Sequence, residues 1–562
     1  MSDAPTDTTH SSQPTAARNI IRAGIVVALA HICLKFVSPL QYIFVGHLCD
    51  NVTRDLFVFG FESILMMLFL VGEESLGPAL LPVFMQEKEH RGEHAAWSFA
   101  NTILTAQFLI LLLVVALVAI FPEGVAALLT RWDEPGKNPA YMRLAPLYAR
   151  YIVLGLFGLS LGSTTYMLLN GYKRFFLAAI GDAAFKIGVV AALATAWALH
   201  MEVDGKRAVS VFAAGAVAGS AFKLGAHLLG LRDKVHFLRP RLDVRNAATR
   251  QFLLLVAPLI VGIVFAKVRD IYNNVLVLSA LEEGFMSATA FGRKIYQTIS
   301  FLGPYAVSIA MLPFFCEMVA REEKDELGDM LTRSSHLILL MCAPLAALVI
   351  ALSLPIAQVL FQGGEYTYDA AVQAAVANAC YTLVLPFAAL ECVFMQTFFA
   401  NRRMISVTLL GIIFSALSMA ISYWFVIRLG WRGLAGVAAV SLAFTVSRML
   451  KVVTLGIVMR RFIPCFPVQQ TVVNIGRILL VAGATGLAAW GTRQGYETFV
   501  PVPTAADRIK VLTRVGPELV LAGIVGGLAC LAMMFLFCRH DLQLIVDWTL
   551  ARIRRRDPDL KK

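Results

Sequence analysis

Charge is scarce in this chain: Asp, Glu, Lys and Arg make up 15% of its 562 residues, against 58% hydrophobic ones. A water-soluble globule carries charge on about a quarter of its residues, so that class is excluded. Catalytic signatures are missing as well. Neither His-Glu-x-x-His nor Gly-x-x-x-x-Gly-Lys-Ser/Thr occurs, so the zincin pattern and ATP hydrolysis by a phosphate-binding loop are not supported, and no strand-turn-helix nucleophile elbow is expected. The nine cysteines (Cys33, Cys49, Cys316, Cys342, Cys380, Cys392, Cys465, Cys530, Cys538) contain no Cys-x-x-Cys pair and sit mostly in or beside apolar segments. They make neither a disulfide framework nor a zinc site. No metal, cofactor or catalytic residue is expected, and the chain reads as a non-enzyme. The first apolar run lacks a small-residue cleavage site and continues to about Leu48, so it is a transmembrane helix rather than a removable signal peptide.

What remains is long hydrophobic runs. Segments able to span a bilayer lie at about 20–47, 56–84, 95–121, 144–169, 175–199, 208–231, 251–281, 285–316, 331–361, 370–399, 404–427, 433–459, 470–492 and 515–538. The fold class is therefore an all-α polytopic membrane protein of about 14 transmembrane helices. The net charge of +12 follows from the positive-inside rule rather than from nucleic-acid binding. With the N-terminus in the cytoplasm, about 26 Lys/Arg fall on inner loops and tails against about 12 outside, which places both termini inside. Outer loops are short, and no soluble catalytic domain is inserted.

The chain repeats itself. Ala79-Leu80-Leu81-Pro82-Val83-Phe84 closes the second span and Ala310-Met311-Leu312-Pro313-Phe314-Phe315 the eighth, 231 residues later; Asn170-Gly171-Tyr172-Lys173-Arg174 and Ala400-Asn401-Arg402-Arg403 leave the fourth and tenth spans at nearly the same offset. Six spans separate equivalent points, an even number, so the halves share one orientation as a parallel repeat. The expected organisation is a disordered polar tail (1–17), a six-helix lobe (18–231), a basic cytoplasmic connection (232–250), a second six-helix lobe (251–461), two additional C-terminal helices (462–538) and a basic tail (539–562) able to form an amphipathic helix on anionic lipid.

One stretch, from about Arg250 to Pro313, carries Lys267, Arg269, Asp270, Arg293 and Lys294 inside two apolar segments joined by Leu281-Glu282-Glu283-Gly284. At about 1.5 Å per residue, Arg269, Asp270 and Arg293 lie about 14–18 Å from that turn, near the middle of a bilayer about 30 Å thick. Charges there cost about 2.5–3.5 kcal/mol each on the insertion scale and face protein or water. The reading is an anion site; the competing one is a compensated salt-bridge cluster joining helices. Lys35 in the first span and Ser287 beside the charged level complete the candidate substrate-binding set. Asp55, Glu73, Glu74, Asp270 and Asn274 are candidates for a gate or ion coupling, Asp55 alternatively capping its own helix. Asp182 and Lys186 share a helix face as a pair or a proton relay, while Lys223, Arg448 and Lys451 are placed to snorkel.

Several stretches in order resemble the MviN/MurJ lipid II flippase family of the multidrug/oligosaccharidyl-lipid/polysaccharide exporter superfamily. Asp55-Leu56-Phe57 is similar to its Asp-Ala-Phe, and Glu73 and Pro82 follow in register. Ser287, Arg293-Lys294 and Leu312-Pro313 match a second-lobe segment. Leu360-Phe361-Gln362-Gly363-Gly364-Glu365-Tyr366 with Asp369, Phe398-Phe399-Ala400 and Gly433-Leu434-Ala435 resemble further motifs. The chain departs from the family in the first span, where Cys33–Gln41 offers only Lys35, and in the second, where Leu68 and Phe69 replace paired arginines; Lys267 and Arg269 are the expected compensation. The resemblance implies a flippase in the bacterial cytoplasmic membrane that moves an undecaprenyl-pyrophosphate-linked saccharide by alternating access around a cationic central cavity. Membrane lipids and cell-wall synthesis proteins are its implied partners, a monomer its expected state. An exporter of another polyprenyl-linked oligosaccharide or amphiphile is the second reading, and a membrane glycosyltransferase or polymerase the reading from a different class. With Asn274 where some members carry a sodium-binding aspartate, sodium coupling is unsupported.

Overall fold

The computed structural model describes residues 37–301 and 315–539, apart from 38, 200, 202, 316, 320 and 402. The tail 1–17, most of the first span with Lys35, the Leu312-Pro313 end of the eighth and the basic tail from 540 onward lie outside the described residues. Among the described residues the elements are helical and no β-strand occurs. Ten helices are long and apolar enough to cross a membrane, or twelve if two bent pairs count as one span each. With the first and eighth expected spans running into undescribed residues, this is compatible with about 14 spans.

The helices are α1 Asn51–Arg91, α2 Glu93–Ile120, α3 Pro122–Leu129, α4 Pro139–Ile152, α5 Gly155–Gly171, α6 Phe175–Ala198, α7 Gly205–Gly230, α8 Ala247–Ile271 and α9 Phe285–Phe301. They continue as α10 Lys324–Ala351, α11 Ser353–Phe361, α12 Tyr368–Thr382, α13 Leu385–Ala400, α14 Met404–Ser422, α15 Gly433–Met459, α16 Val468–Phe499 and α17 Arg508–Phe537. Contacts divide the chain into two compact units. Unit 1 comprises Met1–Leu48, Leu56–Leu128 and Trp132–Lys267; unit 2 comprises Cys49–Asp55, Leu129–Arg131 and Val268–Lys562.

The duplication seen in the sequence recurs in the helices. α2 and α10 are each 28 residues long and begin at Glu93 and Lys324, 231 residues apart; α4 and α12 begin at Pro139 and Tyr368, 229 apart. The exits match bond for bond. Arg174 N donates to Leu169 O at 2.9 Å, and Arg403 N donates to Phe398 O at 2.9 Å.

Both units carry their apolar surface outward, because hydrocarbon rather than water is the solvent. On α2, Ile110, Leu113, Leu117 and Ile120 are exposed, whereas Trp97, Asn101 and Gln107 are buried. Gln107 shows why: its Nε2 donates to Ser160 O and Oγ at 2.8 Å and its Oε1 accepts from Thr164 Oγ1 at 2.6 Å, so the side chain joins α2 to α5 by hydrogen bonds. The connection 232–250 is laid along α2. Phe237 stacks on Trp97 with centroids 5.9 Å apart, and its carbonyl accepts from Asn101 Nδ2 at 2.7 Å.

Small residues allow the closest approach, as expected where apolar packing has no contrast with lipid. A Cβ on Gly219 of α7 would lie 2.6 Å from the Phe185 carbonyl oxygen of α6, while one on Gly476 of α16 would meet nothing within 4 Å. Gly219→Ala is therefore expected to destabilise unit 1 by about 1–3 kcal/mol through overpacking, with Gly476→Ala neutral. Thermal unfolding of the two variants in detergent checks the contrast; equal melting temperatures would contradict the packing.

Candidate functional site

In unit 2 the end of α8 passes into a π-helical stretch, Tyr272–Val277, then a short 3-10 turn to Ala280. Such stretches shift the phase of side chains along a helix and occur often at functional sites. Arg269 precedes it, donating from Nε (3.0 Å) and Nη2 (2.7 Å) to Asp270 Oδ1. Its guanidinium also lies 5.2 Å from the Phe444 ring centroid on α15, and that of Arg448 lies 5.7 Å from the same ring. Tyr381 of α12 packs edge-on to Phe444 at 5.6 Å, stacks on Tyr296 of α9 at 6.2 Å, and donates to Asn274 Oδ1 at 3.3 Å. Arg293 and Asp270 lie within electrostatic reach of Tyr381.

The structure thus brings Arg269, Asp270, Asn274 and Arg293 together around the Tyr381–Phe444 pair, an arrangement that aromatic residues far along the chain make and that spacing within the 250–313 stretch does not reveal. Arg293 and Lys294 are half-buried on α9. Beside this group, Glu391 of α13 accepts from Arg448 Nε at 2.5 Å and from Lys451 Nζ at 2.7 Å. The expectation that Arg448 and Lys451 snorkel is corrected by this pairing: a carboxylate at depth holds them more strongly than the distant interface. The named ionic side chains here are five cations, Arg269, Arg293, Lys294, Arg448 and Lys451, against two anions, Asp270 and Glu391.

Asp55 also departs from its simplest reading. It does not cap its own helix but accepts from Gly284 N and Ser287 N, both at 2.8 Å, with its two carboxylate oxygens. It therefore closes the N-terminus of α9, whose first amides have no intrahelical partner. Ser287 is fully buried in this cap, its hydroxyl donating to Gly284 O at 2.9 Å. Gly284 has φ +83, and a Cβ there would meet the Asn51 side chain at 2.7 Å. Arg54, which the sequence reading passed over, is 1% exposed. Its Nη1 donates to Cys49 O (2.8 Å) and Glu365 O (3.1 Å), Nη2 donates to Asn51 Oδ1, and the guanidinium lies 4.9 Å from the Tyr366 ring centroid. An arginine directly beside a capping aspartate in an apolar run was the available signal.

In unit 1, Lys267 donates to Glu74 Oε1 at 2.8 Å. Asp182 bonds Lys223 of α7 at 2.7 Å; Lys186 lies on the same α6 face. Lys223 is 3% exposed with its ammonium 5.0 Å from the Phe69 ring centroid, so it too is paired rather than snorkelling. Glu73, half-buried on α1, lies within electrostatic reach of Lys223, Asp182, Glu74 and Lys186. A literal Gly-x-Ser-x-Gly does occur at Gly158–Gly162. It lies inside α5 with Ser160 bound to Gln107, and lacks the strand-to-helix turn that exposes a nucleophile.

A family model described as lipid II flippase MurJ matches residues 45–507. The chain belongs to the MurJ lipid II flippase family. A probable lipid II flippase MurJ of Rhizobium meliloti (strain 1021) is 26% identical over 362 residues, 63% of this chain and 64% of that protein, just under two thirds of the relative's length. One of Borreliella burgdorferi is 23% identical over 70% of this chain and 74% of its own. Among solved structures, a lipid II flippase MurJ in an inward closed conformation superposes with TM-score 0.71 at 15% identity, covering 92% of this chain and 99% of that one. An inward-facing multidrug resistance MATE family transporter of the MOP superfamily gives 0.61 at 13% identity, over 76% and 94%. These likenesses establish the fold. The family match starts at residue 45, beyond the Cys33–Gln41 stretch in which this MurJ-family chain departs from pattern.

Two substitutions test the geometry. Asp55→Ala removes both acceptors from the start of α9 and is expected to cost about 1–2 kcal/mol. Glu391→Gln leaves Arg448 and Lys451 without their carboxylate at depth, at a cost of about 3 kcal/mol. Melting temperatures in detergent check both, with Glu391→Gln falling further.

Proposed function

We propose that this chain moves a lipid-linked peptidoglycan precursor, lipid II, from the cytoplasmic to the outer side of the bacterial cytoplasmic membrane. The observation that carries the reading is family membership over residues 45–507 combined with half-buried cations, Arg269, Arg293 and Lys294, within apolar spans of unit 2. A diphosphate is a strong hydrogen-bond acceptor whose charge suits forked guanidinium and point-charge ammonium groups. Arg269, Arg293, Lys294, Lys267 and Lys35 are the proposed diphosphate ligands. Asp270 orients Arg269 through its two contacts, and the Asp55 cap, with Ser287 inside it, positions α9. No covalent chemistry is involved, and transport runs by alternating exposure of the site to the two sides. Both termini are proposed to be cytoplasmic, with the undecaprenyl-pyrophosphate-linked saccharide as substrate, the protein working as a monomer among membrane lipids and cell-wall synthesis proteins.

Complementation of a strain depleted of its own lipid II flippase, together with headgroup translocation in proteoliposomes, tests the proposal. Arg269→Glu and Arg293→Glu, made separately, are each expected to reduce translocation at least about tenfold, the equivalent of 1.4 kcal/mol, while inserting normally. Full activity of both variants would refute the site. Translocation of another polyprenyl-diphosphate saccharide but not lipid II would redirect the substrate.

A further inference from the structure

We infer that His227, in the last turn of α7, is a proton-binding site that fastens three helices of unit 1. The imidazole is completely buried, and both its ring nitrogens face backbone carbonyl oxygens: Nδ1 lies 2.9 Å from Gly162 O of α5, and Nε2 lies 3.0 Å from Ala178 O of α6. A carbonyl only accepts, so each contact needs a hydrogen on the nitrogen, and only the imidazolium carries both. The slot is shaped for the ring, since a Cβ on Gly181 would sit 2.0 Å from Nε2. A cation in the last turn of a helix also complements the helix dipole.

The neutral alternative has Nδ1 accepting from Thr165 Oγ1, 3.1 Å away. That hydroxyl has one hydrogen, however, and already has Leu161 O and Gly162 O at 3.0 Å. Accepting it would leave the Nδ1 lone pair against the Gly162 oxygen with no proton between them. The charged and titratable groups beside the ring are Tyr166 on α5, Asp182 on α6 and Lys223 on α7, with Glu73 of α1 and Lys186 of α6 within reach of the Asp182–Lys223 pair. Asp182 and Lys223 offset one another and burial opposes the charge, so it is the two carbonyl acceptors that favour the imidazolium. In the second half of the chain the positions 228 or 229 residues on are Leu455, Leu410 and Val407, for His227, Gly181 and Ala178. Leu455 and Val407 belong to the apolar core there, and Leu410 packs against it. The proton site is thus particular to unit 1, and releasing the proton forces the ring to give up one of its two helices.

The test is thermal unfolding of the full chain in detergent between about pH 5 and 8, the range in which histidine changes charge. Relative to His227→Gln, the wild-type chain is expected to lose about 2–4 °C of apparent melting temperature as pH rises across that range, and Thr165→Val is expected to keep that dependence. Parallel profiles for wild type and His227→Gln, a dependence of opposite sign, or its loss in Thr165→Val would overturn the assignment. Should His227→Gln not assemble, 15N-labelled histidine in the wild-type chain decides. The imidazole protected from solvent exchange must carry hydrogen on both nitrogens at about pH 6; a ring with a single N–H would refute the proposal.

Discussion

A charged or hydrogen-bonding group surrounded by hydrocarbon must find a partner inside the protein, because there is no water to supply one. Much of this molecule can be understood as the working out of that constraint. Lys223 meets Asp182, Lys267 meets Glu74, and Arg448 and Lys451 share Glu391. Arg54 is held by two carbonyls, an amide oxygen and an aromatic face. Arg269 is held differently: its partner Asp270 is its chain neighbour, so the contact orients the guanidinium without joining two helices. An arginine fixed in this way and still 21% exposed suits recognition of an anion better than cross-bracing.

Helix ends obey the same constraint. The first amides of α9 are satisfied by Asp55, and Glu282 accepts from Gly433 N at 3.1 Å at the start of α15. In both cases an acidic side chain from elsewhere in the chain lies at a positive helix terminus. π-helical turns at Val58–Met66, Tyr272–Val277 and Tyr423–Arg428 accompany these ends. The first follows the Asp55 turn within α1, and the second precedes the turn that α9 begins from, placing irregular backbone beside the caps.

The spans, their duplication and the charged stretch were legible in the sequence because each is a local pattern: apolar runs, repeated exit motifs, charges interrupting hydrophobic segments. Pairings were not. Asp182 has Lys186 one turn away on its own helix, but its 2.7 Å contact with Lys223 on α7 depends on how α6 and α7 pack at Gly188 and Gly219. Asp55 stands near a helix start, so capping its own helix is the natural reading; that it serves α9 depends on a contact 232 residues away in sequence. Tyr381 and Phe444 read as ordinary core aromatics until tertiary structure sets them beside Arg269 and Asn274.

The duplicated halves show how one constraint admits two solutions. The positions of Gly162, Asp182 and Lys223 correspond to Glu391, Gly411 and Lys451. The lysine is common to both, but its carboxylate has moved. In unit 1 the acid stands on α6 and a glycine on α5 makes room for the lysine stem, whose Cε would lie 3.0 Å from a Cβ on Gly162. In unit 2 the acid stands on α13 and the glycine on α14, with the Lys451 ammonium 3.8 Å from a Cβ on Gly411. Each half keeps one lysine, one acid and one notch, so neutralisation and packing are preserved together. The Gly162 carbonyl on that α5 face is also the one that His227 meets, a contact that Leu455 in the second half has no means to make.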